Sequence, residues 1–288
     1  MTKESAHGAS AYAAVAKTAL WTAAARARES ARPDRLFDDP FAAVLAGDEG
    51  FALLSHFHTR HASDEGNPFL PIRTRWFDDY LAREVREPEA QVVALGAGLD
   101  TRALRLDWPE RTVLFEVDQA ALLDHKEDRL APGAPLQRCD RRVVRADLAG
   151  DWLAELLRAG FEPSRPTVWF AEGLFFYLPE GLAHTVLTTA TGLSAPGSHM
   201  ALDLIGTKIF TFPYMRHFLE RLEEAGSPWV FGTDRPDGFV RDCGWSDPEV
   251  SEPGRPGADF GRWPQEANPA ALTRLPRSYL VTAHISGR

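Results

Sequence analysis

Cysteine occurs only twice in the 288 residues, at Cys139 and Cys243. Two lone thiols without a spacing motif exclude a disulfide framework and a cysteine-built metal site, so a reducing cytoplasm is the expected setting. Lysine is scarce too, at positions 3, 17, 126 and 208, and arginine carries the rest of the positive charge. With the alanine richness this reads as base-composition bias and says nothing about function. The net charge is -9 and basic residues form no cluster. That argues against nucleic acid and anionic membranes as partners. No apolar run is long enough to span a bilayer, and the first residues lack the basic-then-apolar pattern of a signal peptide. His56, His58 and His61 lie close together, but no acid or cysteine supports them at ligand spacing, and no metal is expected.

What is present centres on residues 91–118, Q-V-V-A-L-G-A-G-L-D-T-R-A-L-R-L-D-W-P-E-R-T-V-L-F-E-V-D. The apolar run Val92 to Leu95 stops at Gly96-Ala97-Gly98. A polar turn, Leu99 to Arg102, follows. A second apolar run, Thr112 to Val117, ends in Glu116 and Asp118. Strand, glycine turn, short helix, strand and acid make half of a nucleotide-binding unit. Glycines let backbone come close to a ligand. An acid about 20 residues past the turn suits the two hydroxyls of a ribose.

The turn lacks the third glycine of a pyrophosphate-binding loop; Thr101 stands there instead. Asp100 would also repel a phosphate at a helix N-terminus. A ligand with a ribose and no phosphate fits better, and S-adenosylmethionine is the obvious candidate. An ordinary βαβ turn without a nucleotide is the plainer alternative.

Around this stretch the chain reads as an α/β protein. Helices are expected over Ser10 to Ser30, from Asp39-Pro40-Phe41 onward with Asp39 as cap, and over Pro71 to Val85. Arg26, Arg28, Arg32 and Arg35 are as readable as a solvated face as a binding surface. Further strands are expected within 141–145, 166–170, 199–204, weakly after Gly244, and over 278–285. Helices are expected over 119–130, 151–159, 179–193, 215–225 and 233–243. This alternation implies a mostly parallel sheet with an antiparallel last strand. The expected division is a helical cap or lid over 1–88 and a Rossmann-like core over 89–288, with a variable substrate-binding insertion around 206–271. The Pro/Gly-rich stretch 251–271 is either a surface excursion or a lid over the acceptor.

Acids stand at the ends of consecutive strands: Asp118, Asp147 and Glu172, beside Gly96 and Gly98. In a parallel sheet those ends share one crevice. Asp118 suits ribose, Asp147 and Leu148 the adenine, and Glu172 the positive groups of a methionine portion. Arg73 from the cap suits its carboxylate as a bidentate partner.

The strings V-V-A-L-G-A-G-L-D-T-R, F-E-V-D, A-D-L and A-E-G-L-F-F-Y-L resemble class I S-adenosylmethionine-dependent methyltransferases. More narrowly the chain is similar to the leucine carboxyl methyltransferase family and its bacterial polyketide O-methyltransferase branch. The resemblance runs from about Ala23 to Leu204. It implies S-adenosylmethionine as cofactor and cofactor-binding positions at Arg73, Gly96, Ala97, Gly98, Asp118, Asp147, Leu148 and Glu172, with Arg26 as the cap residue that joins them. It implies methyl transfer to oxygen, with a carboxylate or hydroxyl as acceptor, on a small molecule such as a polyketide-like metabolite or on a protein C-terminus. A carboxylate is already ionised near neutral pH, so positioning replaces a general base. Tyr177 is expected in the pocket, and Trp21, Trp76, Phe210 and Tyr214 are candidates to stack on a flat acceptor. His199 is expected to be structural. The competing readings are a binding protein that keeps the fold without catalysis, and an NAD-dependent oxidoreductase. The latter wants a third turn glycine and a downstream catalytic base.

Overall fold

The computed structural model describes residues 3–57, 68–133, 135–263 and 275–287, with side chains from Lys17 onward except those of 56 and 57. Among them seven strands form one sheet. They are β1 (Gln91–Leu95), β2 (Val113–Asp118), β3 (Asp140–Arg145), β4 (Thr167–Ala171), β5 (His199–Ile205), β6 (Ser246–Ser251) and β7 (Ser278–His284). Their order is β3-β2-β1-β4-β5-β7-β6. The first five are parallel, and β7 runs antiparallel between β5 and β6. β1 and β4 are buried at every position. That is why they read as continuous apolar runs and not as alternations.

Helices cover both faces. On one, α3 (Phe69–Glu84) lays Ile72, Phe77, Tyr80 and Leu81 against Val92, Ala94, Leu114, Val168 and Phe170. Trp76 belongs to this layer, its ring stacked on Tyr80 at 6.1 Å. On the other, α6 (Trp152–Arg158) and α7 (Glu180–Gly192) bury Trp152, Leu156, Val186 and Leu187 against Phe115, Trp169 and Leu202.

The remaining helices are α1 (Lys3–Ser30), α2 (Ala42–Phe57), α4 (Arg102–Arg105), α5 (Ala120–Leu130), α8 (Arg216–Glu224) and α9 (Pro236–Asp242). α1 and α2 pack together, and a third cluster joins their Leu20, Leu45 and Leu54 to Leu122 and Leu222. α2 is kinked at Gly47, whose φ is +54°. A Cβ at Gly50 would lie 2.6 Å from the Leu20 carbonyl oxygen, so the two helices touch backbone to backbone there.

Elements sit within a few residues of their sequence expectation, except that α1 begins at Lys3 rather than Ser10. Two differences have physical causes. α2 starts at Ala42, after a turn in which Asp39 Oδ1 accepts from the Phe41 N–H at 3.2 Å. Asp39 is buried and ion-paired to Arg26 at 2.8 Å, so it anchors the turn to α1 more than it caps a helix. The described part of the 251–271 stretch is packed, not loose: Ala258 is fully buried, and Arg262 meets Glu29 of α1 at 2.7 Å. The rest of that stretch from 264, His58 and His61 lie outside the described residues, as does the His56 side chain.

Candidate functional site

The register places the site. Leu95 pairs with Val117, and Ala94 with Phe170. Ala171 pairs with Leu202. Gly96, Asp118, Glu172 and Asp203 therefore stand one step beyond a common row, on neighbouring parallel strands. Arg145 pairs with Asp118, so Asp147 lies two steps further along β3. This is the carboxyl edge of an open sheet, at the reversal of strand order between β1 and β4, where such folds take ligands.

A cavity of about 850 Å³ opens there. Its floor carries Gly96, Ala97, Gly98, Asp118, Asp147, Leu148 and Glu172. Thr18, Trp21, Thr22 and Arg26 of α1 and Arg73 of α3 form one wall. Phe176, Tyr177, Phe212, Tyr214, Phe218 and Trp229 form another. Every residue expected in the cofactor site lines this one space. Of the stacking aromatics, Trp21 and Tyr214 line it, and Trp76 and Phe210 do not. Trp76 is held in the α3 layer, and Phe210 is 37% exposed outside the cavity. His199 sits at the opposite end of β5, 3.4 Å from Glu84.

Gly96 has φ +64° and Gly98 φ +47°, a region that disfavours side chains. A Cβ on Gly96 would also strike Leu174 at 2.8 Å. The Gly98 N–H donates to Asp118 Oδ2 at 2.7 Å, and the Gln119 N–H to Oδ1 at 2.7 Å. Each oxygen keeps a further lone pair for a ligand hydroxyl. Burial pushes the Asp118 carboxyl up to about 6. Asp147 is exposed, with Oδ1 accepting from the Ala149 N–H, while Leu148 is buried.

Asp100 has a different part from the expected one. Its Oδ2 is in direct contact with the Arg102 guanidinium, and its Oδ1 accepts the Arg102 N–H at 2.7 Å. Burial would raise the Asp100 carboxyl, but Arg102 outweighs it and holds the pKa low. The turn therefore carries a neutralised pair, not a bare negative charge. Arg102 is 2% exposed and also reaches Asp78 at 2.6 Å and Glu172 at 2.7 Å. Arg105 adds two further bonds to Asp78. This buried network ties α3, the glycine turn and the end of β4 into one unit.

Arg73 is 6% exposed. Its Nε donates to Glu172 Oε1 at 3.0 Å and its Nη1 to Asp203 Oδ2 at 3.0 Å. Two of its three nitrogens are thus engaged, and only Nη2 lacks a hydrogen-bond partner among the described residues. These two bonds use two of the five guanidinium N–H groups, so one on Nη1 and both on Nη2 remain for a carboxylate, with Nη2 the nitrogen left wholly to a ligand. Glu172 Oε1 is filled by Arg73 and Thr74, while Oε2 meets only Arg102 among the described residues and keeps one position. Burial would raise Glu172, but Arg102 and Arg73 together leave it below the usual range. Arg26 donates to Asp39 and, at 2.6 Å, to the Leu99 carbonyl, so it clamps α1 to the glycine turn.

Asp78, Arg102, Asp203 and Trp229 escaped the sequence reading. Asp203 left a trace, a lone acid in the apolar string H-M-A-L-D-L-I, and Arg102 is the last residue of G-L-D-T-R. Nothing local marks Trp229.

The sheet order and its ligand edge define the class I methyltransferase fold. Residues 19–191 match the family model of leucine carboxyl methyltransferase, and the chain belongs to that family, whose members use S-adenosylmethionine. A relative from Parafrankia sp. (strain EAN1pec), named "Putative S-adenosyl-L-methionine-dependent methyltransferase", is 47% identical over 196 residues. That match spans 66% of this chain and 63% of the relative. A similarly named protein of Mycolicibacterium gilvum is 40% identical over 224 residues, 74% of each chain. Among solved structures, a protein of Thermobifida fusca YX with the same kind of provisional name aligns at TM-score 0.55 and 18% identity. It covers 88% of this chain and 95% of its own, and shows the shared fold. No helix among the described residues is long and apolar enough to cross a membrane.

Proposed function

We propose that the chain is an S-adenosylmethionine-dependent O-methyltransferase acting on a small, flat, polyketide-like molecule, with a carboxylate oxygen as first choice of acceptor and a hydroxyl as second. One observation carries this: the cavity is continuous from the strand-end acids to the aromatic wall of Phe176, Phe218 and Trp229. At about 850 Å³ it lies near the upper end of ligand pockets, roughly 300–1,000 Å³. That leaves room for a cofactor and an acceptor together.

The donor set suits this cofactor. In this reading the Gly96-Ala97-Gly98 backbone lies along it, the free lone pairs of Asp118 take the ribose hydroxyls, and Asp147 takes the adenine amino group. Leu148 packs on the ring. The open position on Glu172 Oε2 takes the ammonium, and Arg73 Nη2 takes the carboxylate. Arg26 acts on the turn that holds the cofactor. Thr101, buried where a third glycine would sit, works against a dinucleotide.

The cofactor supplies an electrophilic methyl on a sulfonium. The chain's own residues align the acceptor oxygen and exclude water. The Tyr177 phenol, pushed up by burial, stays protonated near neutral pH and serves as a donor, not a base. This favours an acceptor that arrives ionised. Residues 1–88 act as the cap, and 89–288 as the core with the variable acceptor region around 206–271. Unpaired Cys139 and Cys243 suit a cytoplasmic setting.

Transfer of a labelled methyl from S-adenosylmethionine to a panel of aromatic carboxylates and phenols tests the reading. Label released by mild alkali marks a methyl ester, and alkali-stable label marks an ether. Cofactor binding without transfer to any acceptor would favour a binding protein that keeps the fold, and binding of NAD instead would sink the cofactor.

A further inference from the structure

Asp203 is an unusual residue for its place. It lies in β5 among Leu202, Leu204 and Ile205, and it is 1% exposed. A buried carboxylate is costly unless its oxygens are bonded. Both are: Oδ2 accepts from Arg73 Nη1 at 3.0 Å, and Oδ1 from the Gly173 N–H at 2.6 Å. Gly173 has φ +73°, and a Cβ there would lie 3.1 Å from Arg73 Nη1. The guanidinium thus rests directly on the Glu172-Gly173 turn, and one carboxylate holds both. Glu172 grips Arg73 from the other side at Nε. With Nε and Nη1 fixed, the direction of Nη2 is fixed as well, because the guanidinium is planar.

We propose that Asp203 is a positioning residue that locks Arg73 and the Glu172-Gly173 turn into one unit recognising the zwitterionic amino-acid end of the cofactor, with no contact to it of its own. This rests on the methyltransferase reading above. The adenosine half of the site, at Gly98, Asp118 and Asp147, shares none of these bonds. Asp203 therefore governs one half of the ligand and leaves the other alone.

Calorimetric titration of the full chain separates the halves. S-adenosylhomocysteine carries the amino-acid end, and 5′-methylthioadenosine has the same thioether and nucleoside without it. In Asp203→Asn the amide oxygen still accepts from Gly173, while the bond from Arg73 is lost. The expected result is a fall in S-adenosylhomocysteine affinity of about tenfold or more, the weight of one charge-assisted hydrogen bond, with methylthioadenosine unchanged within about twofold. Asp203→Ser, which removes the charge by truncation, shows the same selectivity should the asparagine variant not fold. In an Arg73→Met background, which leaves Asp203 no cation to hold, the Asp203 substitution adds nothing further to the loss of S-adenosylhomocysteine affinity. Equal weakening of both ligands would make Asp203 merely structural and overturn the proposal, as would no change in either. Wild-type protein that binds neither ligand overturns the methyltransferase reading itself, an outcome distinct from the other two.

Discussion

The two halves of the cavity are built on opposite principles. The strand-end half is a lattice of charges: Arg73, Arg102 and Arg105 interlock with Asp78, Asp100, Glu172 and Asp203. The far half is a set of rings, Phe176, Tyr177, Phe218 and Trp229, with centroids 4.6 to 6.4 Å apart. Directional bonds fix atoms to a few tenths of an ångström, which suits one unchanging ligand. Ring packing is tolerant in direction and suits a family of flat acceptors. The difference teaches where specificity is rigid and where it drifts.

The lattice should be the more fragile half. Arg102→Met leaves buried Asp78 and the mostly covered Asp100 and Glu172 without their shared partner. A loss of about 3–5 kcal/mol is expected, read by urea unfolding, because removing one side of a buried ion pair strands the other charges. A loss below about 1 kcal/mol would show the network to be wetter than its burial implies.

Asp118→Ala should separate stability from binding. Removing the acceptor of two ribose hydroxyls is expected to weaken S-adenosylmethionine by about 100-fold or more in calorimetry. The melting temperature should hold or rise, since burial disfavours this carboxylate in the empty site.

On the ring side, Trp229→Leu should raise the acceptor KM by about tenfold and leave the cofactor Kd within about twofold, since Trp229 packs on Phe176 and Phe218. Equal changes in both constants would erase the distinction between the halves.

The smallest effect is in pH. Asp118 titrates near 6 in the empty site, above its ordinary value, so its folded-state contribution to stability is present below about pH 4 and lost as pH rises through 6. Ribose hydroxyls favour the ionised form. Cofactor affinity should therefore fall as pH drops below 6, by at most about tenfold per unit, and Asp118→Ala should abolish that slope.

Much of the strand-end half was legible in the linear chain, because its backbone parts are local. Gly96 and Gly98 follow one strand directly, Asp118 ends the next, and the parallel sheet brings such ends together whatever lies between. The apolar runs of β1 and β4 follow from burial on both faces. Local alternation also marked the last strand, Ser278–His284. The partners of each charge were not legible. Arg73 meets Asp203 across 130 positions, and Arg102 meets Asp78 across 24. Asp100 looks like an exposed repulsive acid in sequence and is a neutralised, mostly covered one in the fold. Trp76 and Trp229 are alike as letters, yet α3 turns the first into the sheet layer while the cavity takes the second. Periodicity and turn chemistry act over a few residues and are written in the sequence. Which charge neutralises which, and which ring faces a ligand, depends on how whole elements pack, and only the tertiary structure decided that.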